Sequence, residues 1–193
     1  MPVVIRFPFS SVAWRQARHS FAVLLLPLFS CLTPLAVRAA ADPLAPALEQ
    51  LRRLGVEVAE EEACGGPGQL ATYNMGLNRL CLSTALRSQP QLRARVLHHE
   101  LVHVVQDCLD GLETPTSLTL HQGLRVTGAF SDRQLDGFFL QYLRAQGNLS
   151  HVVATTAALP QDSRQREVEA YALQGDPPLV LRLLQTRCRL LLP

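Results

Sequence analysis

Apolar positions along this chain change their spacing several times, and each change predicts an element. Residues 47–54 carry a helical apolar period that ends at Gly55, and 55–59 alternate as a short strand does, with Val56 and Val58 on one face. The acidic run 60–62 reads as a solvated turn, and the glycines and proline of 64–68 predict a loop. Strands are expected at 70–73 and 79–83, joined by a hairpin-type turn over 74–78. From Pro90 a helix of about 18 residues follows, apolar at Leu92, Val96, Leu97, Leu101, Val104, Val105 and Cys108 and stopped near Gly111. Residues 118–130 are ambiguous. Ser131 and Gln134 have the spacing of a capping box that opens a helix to about Ala145, closed by Gly147. Further helices are expected over 148–159, stopped by Pro160, then from a cap at 162–165 to about Gln174, and finally over 179–191.

The pattern predicts an α+β fold, mostly helical with a small sheet next to the helix that begins at Pro90, in a single domain over 42–193. The first 41 residues are different. Arg6, Arg15 and Arg18 precede an apolar stretch at 21–32, and small residues over 36–41 offer a cleavage site, the layout of a secretory signal peptide. That stretch is about 12 residues, broken by Pro27, against about 20 for a membrane span, and an uncleaved anchor is the alternative. The expectation is an exported protein, periplasmic or extracellular, with no stable membrane insertion after cleavage.

All 18 basic residues are arginines, and four of them precede residue 40 while none of the 16 acids does, so cleavage moves the formal charge from +2 to −2. Nothing in that balance points to nucleic acid. Cys64, Cys81, Cys108 and Cys188 remain after the leader, an even number that favours two disulfides in an exported chain. Three pairings are possible, and Cys64 with Cys81 and Cys108 with Cys188 is preferred, because the second would pin the last helix to the end of the long one.

Residues 99–103 read His-Glu-Leu-Val-His in the middle of that long helix. Residues four apart share a helix face, so His99 and His103 can present imidazole nitrogens to one metal ion with Glu100 beside it. An ion held by two neutral imidazoles acidifies its bound water, and a neighbouring carboxylate can take the proton as that water attacks a carbonyl. A catalytic zinc site needs a third protein ligand and an open position. Two glutamates, Glu167 and Glu169, lie on a predicted helix about 65 residues downstream, far enough for it to fold back. They stand about 200° apart on that helix, so only one can face the metal, and the other is expected to be exposed or in a surface ion pair.

At these residues the chain resembles the gluzincin metallopeptidases. The run His99 to Gln106 looks like their metal helix, and 163–170 looks like the Glu-x-x-Ala segment of the CAAX prenyl protease family and its heat-shock relatives. The resemblance implies a zincin-like fold, one zinc ion, Glu100 as general base, a peptide or protein substrate and a downstream helical glutamate as third ligand. Glu167 with Ala170 fits that segment and is preferred, while Glu169 with Ala172 fits the same short pattern. If zincin geometry applies, 79–83 is the edge strand that binds an extended substrate.

The resembled segment usually carries an acidic residue four positions after the ligand, where it orients a histidine. Tyr171 and Leu173 occupy those places, so Asp107 or a backbone carbonyl is expected to do so. Tyr171, His121 and His151 are candidate stabilisers of the oxyanion. His98 faces away from the pair. The rival expectation is a non-catalytic secreted protein with a structural zinc whose fourth position is filled by His121 or His98. Substrate specificity and oligomeric state are not encoded in any readable pattern.

Overall fold

The helix that carries the motif is buried on nearly every side, and the other elements are arranged around it. The computed structural model describes residues 42–188 apart from 67, 113 and 115. The leader read at 1–41 and the end of the last helix beyond 188 lie outside the described residues. Among these, the chain order is α1 (Ala45–Arg53), β1 (Glu57–Glu61), β2 (Ala71–Asn74), β3 (Arg79–Ser83), α2 (Pro90–Cys108), α3 (Leu120–Val126), α4 (Asp132–Ala145), α5 (Leu149–Thr156), α6 (Gln161–Leu173) and α7 (Pro177–Arg187). This is a mostly helical α+β architecture with one small sheet.

Pro90 opens α2, where a missing N–H costs nothing, and the chain leaves the helix through Gly111 at φ 107°, a conformation that disfavours side chains. Between them every residue from Val96 to Cys108 is buried except His103. β2 covers one side of α2, and α6 and α7 cover others. A helix buried all round must pair every polar group it carries, which makes the polar residues of α2 the informative ones.

The sheet order is β1-β3-β2, with β1 parallel and β2 antiparallel to β3. This corrects the expectation for 79–83: β3 is the central strand, and the edge beside the motif helix is β2. The reason is the parallel partner. Strand 57–61 pairs with β3 on the side away from β2, a non-local pairing that hydrophobic alternation does not encode. The acidic run is corrected too, since Glu60 and Glu61 lie in β1 and are paired rather than free. Arg79 reaches Glu57 at 3.0 Å and Glu61 at 2.5 Å, and Glu60 accepts from Arg87 at 2.8 Å and Arg93 at 2.5 Å.

The ambiguous stretch resolves into α3, whose first turn is closed by a capping box between Thr119 and Gln122. The cap expected at 162–165 does not form. α6 begins earlier, at Gln161 after Pro160, whose ring already fixes the entry dihedral. α5 stops at Thr156, short of Pro160, because Arg164 turns back and donates to the carbonyls of Thr156, Ala157 and Leu159 at 3.2, 2.8 and 2.9 Å.

Both preferred disulfides are present. Cys64–Cys81 ties the loop before β2 to β3, and Cys108–Cys188 ties the end of α2 to the end of α7 across a sequence separation of 80 residues. Closing a loop of that length removes about 4.5 kcal/mol of unfolded-chain entropy in the chain-entropy account. Two disulfides fit an oxidising compartment. Among the described residues no helix is long and apolar enough to cross a membrane.

Candidate metal centre

α6 lies against α2 and brings Glu167 onto the face that carries both motif histidines. His99 Nε2 and His103 Nε2 stand 3.2 Å apart, and the Glu167 carboxylate places Oε2 3.3 Å from the first ring nitrogen and Oε1 3.4 Å from the second. Donors that share a face of a zinc tetrahedron about 2.05 Å from its centre lie about 3.3 Å apart. The three separations therefore match what one small cation needs. Among the described residues, His99, His103 and Glu167 form the group that could hold a metal ion.

Two further observations test the fit. Glu167 Oε2 is buried and makes no hydrogen bond, a costly state for a carboxylate oxygen unless a cation satisfies it. Charge points the same way. Burial opposes ionisation of Glu167, yet His103 and then His99 hold it well below the usual carboxylate range. Burial likewise opposes a charged His103, but Glu167 and then Glu100 push it up to about 9. Two carboxylates facing two imidazoles favour positive charge at their centre.

Glu100 is 3% exposed and shares a cavity of about 390 Å³ with the three donors. Burial raises its pKa, while His103, His99 and the backbone N–H of Tyr73 in β2 favour the carboxylate. A carboxylate raised in this way is a better proton acceptor near neutral pH than a solvated one. β2, not 79–83, is the strand at this cavity: Thr72 and Tyr73 line it, and the Tyr73 backbone N–H donates to Glu100.

Glu169 lies outside this donor group, and it is not exposed as expected of the second glutamate. It is fully buried and accepts hydrogen bonds from the backbone N–H of Leu120 at 2.7 Å and of His121 at 2.9 Å, from Gln106 Nε2 at 2.8 Å and from Gln165 at 3.2 Å. Its carboxylate satisfies the first free amides of α3, a demand no local pattern announces. Burial still raises its pKa against those bonds.

The orienting residue for His103 is Gln106, not Asp107. Gln106 Oε1 accepts from His103 Nδ1 at 2.8 Å, and its amide donates to Glu169 and to the Arg166 carbonyl, so the ring is fixed by a chain of contacts reaching α3 and α6. Gln106 lies one turn beyond His103, and that spacing was the available signal. Asp107 is engaged on the other side by the Tyr73 hydroxyl at 2.6 Å. His98 stays out of the centre, with Nδ1 2.6 Å from the Ala94 carbonyl.

Tyr171 does not line the cavity. It packs edge-on to the His99 ring with centroids 4.8 Å apart, and its hydroxyl is pushed up to about 12 by burial and by Glu167. His151 lies beyond Tyr171, at 5.9 Å between ring centroids, and His121 faces Asp136 and Asp132 at 3.5 and 3.9 Å. Neither reaches the cavity wall. Arg166 does reach it, a residue to which no sequence pattern assigns a role.

Asp107 gives the network a pH signature. Burial raises its pKa from 3.8 to about 6, against the favourable Tyr73 hydrogen bond and with Asp110 adding to the rise. The folded protein therefore holds this proton more tightly than the unfolded chain, which favours folding at low pH and is lost as pH rises through about 6. Asp107→Asn removes the effect. The melting temperature of the variant minus that of the parent should climb between about pH 4 and pH 6.5. A difference independent of pH contradicts the assignment.

Comparison with protein-family models, with curated proteins and with solved structures found no match to this chain.

Proposed function

We propose that the protein is an exported, zinc-dependent metallopeptidase of zincin-like fold that hydrolyses peptide bonds. The observation that carries this reading is the placement of three metal-type donors at tetrahedral spacing beside a buried carboxylate in an open cavity. His99, His103 and Glu167 would hold one zinc ion. When bound, zinc would lower the pKa of a water and polarise the substrate carbonyl. Glu100 takes the proton from the attacking water and delivers it to the leaving amine, with Tyr73 N–H holding its carboxylate toward the cavity. An extended peptide laid along β2, the edge strand beside α2, would present its carbonyl to this group.

The rival is a zinc staple in a non-catalytic secreted protein, which needs a fourth protein ligand. Among the described residues no fourth side chain joins the cluster, and the two suggested for it, His98 and His121, are engaged elsewhere.

The test is incubation of the full chain, loaded with one equivalent of zinc, with an unfolded protein. Fragments should appear, stop on chelation, return on zinc addition and be blocked by a hydroxamate. Absence of cleavage with zinc bound, together with refusal of the hydroxamate, favours the staple.

A further inference from the structure

Among the described residues that line the cavity, Arg166 is the one cationic side chain apart from the motif histidines. Its partners differ from those of the arginines that are tied into the fold by ion pairs or carbonyls. Arg79, Arg87 and Arg93 each meet a glutamate, and Arg164 is spent on carbonyls at the end of α5. Among the described residues Arg166 instead meets only neutral oxygens, donating to the Ser163 hydroxyl at 3.2 Å and weakly to the Ser117 carbonyl at 3.5 Å. The neighbouring Glu167 carboxylate faces the two imidazoles. A guanidinium has five N–H donors in a planar fork, so Arg166 keeps unspent donors at a partly enclosed wall.

A second observation lies beside it. Ser117 also lines the cavity, and its hydroxyl is buried without a hydrogen-bond partner among the described residues. A buried hydroxyl and a guanidinium that meets no carboxylate among the described residues thus share one wall, and an anionic acceptor would suit both. A planar carboxylate supplies two oxygens for the fork and can accept from the hydroxyl as well.

We propose that Arg166, Ser117 and Ser163 form a carboxylate-binding subsite within the cavity, and that the preferred substrates are peptides with an anionic group close to the bond being cut. This rests on the peptidase reading above. The anion can be an acidic side chain or the C-terminal carboxylate of the peptide. Both present the same group to Arg166.

Binding, rather than turnover, tests the subsite. The full chain carrying Glu100→Gln and loaded with zinc is titrated calorimetrically with two pairs of synthetic peptides. One pair differs by Glu against Gln at an internal position, scanned along the peptide, and the other by a free against an amidated C-terminus. In at least one pair the anionic member should bind roughly tenfold or more tightly, the range for a hydrogen bond to a charged group. The pair that responds identifies the source of the carboxylate. Arg166→Gln added to this protein should erase the preference, and Arg166→Lys should keep part of it, with zinc content and melting temperature confirming that both variants fold.

Equal binding within both pairs overturns the subsite, as does a preference that survives Arg166→Gln or a uniform loss for charged and neutral peptides alike. Failure to bind any of these peptides overturns the subsite, while cleavage of an unfolded protein by the zinc-loaded parent decides the peptidase reading separately. Charge-selective binding by a parent protein that never cleaves leaves the subsite standing and removes only the peptidase reading.

Discussion

Glu100→Gln should reduce hydrolysis by roughly two to four orders of magnitude, the usual contribution of a positioned general acid or base, while zinc binding stays at one ion per chain. Gln fills the same space and can still meet the Tyr73 N–H through its amide oxygen, so the cavity wall survives. It cannot accept a proton from water, and the effect should therefore fall on kcat with KM little changed. The parent and variant are compared by zinc analysis and by cleavage of the same unfolded substrate. Retained cleavage in a zinc-loaded variant removes Glu100 from the chemistry. Loss of zinc along with activity would instead make Glu100 part of the metal-binding group.

The second large effect separates the two glutamates of α6. Glu167→Ala deletes one of three donors and should weaken zinc binding by more than about a hundredfold, the upper range seen for outer-shell partners alone. Glu169→Gln should leave zinc stoichiometry intact, because its carboxylate serves the amides of Leu120 and His121 and the side chain of Gln106 rather than the metal group. Its cost appears as stability, about 1–3 kcal/mol for a buried partner left unsatisfied. Zinc-induced shifts in melting temperature read both at once, since an ion that binds only the folded state raises its stability. The parent and the Glu169 variant should shift with added zinc, and the Glu167 variant should not. The opposite pattern would exchange the roles of the two residues.

That contrast marks the boundary of what a linear reading can hold. The histidine pair and Glu100 are legible because one helical turn brings them together, and no distant partner has to be known. Glu167 is legible through its segment and its angular separation from Glu169. The fate of Glu169 is not, because its partners are backbone amides 48 and 49 residues away at the start of α3, in a stretch whose apolar period is weak. Even there a signal existed, since Thr119 and Gln122 have capping-box spacing.

The sheet shows the same limit. The three strands are readable from alternation and turns, and β2 and β3 pair as a hairpin would. The parallel pairing of β1 with β3 moves the edge from 79–83 to β2, and strand order depends on contacts that local pattern leaves open. The disulfides could be chosen because pinning α7 to α2 is a spatial argument as well as a counting one. Gln106 was overlooked in favour of Asp107, since the choice between positions three and four beyond His103 is decided by β2, whose Tyr73 takes the aspartate.

The most direct test is X-ray absorption at the zinc edge on the full chain carrying one equivalent of zinc. Two imidazole nitrogens are expected at about 2.0–2.1 Å, with oxygen completing the shell and no sulfur, and this shell should be lost in Glu167→Ala. A shell with fewer than two imidazoles, or one unchanged by that substitution, contradicts it.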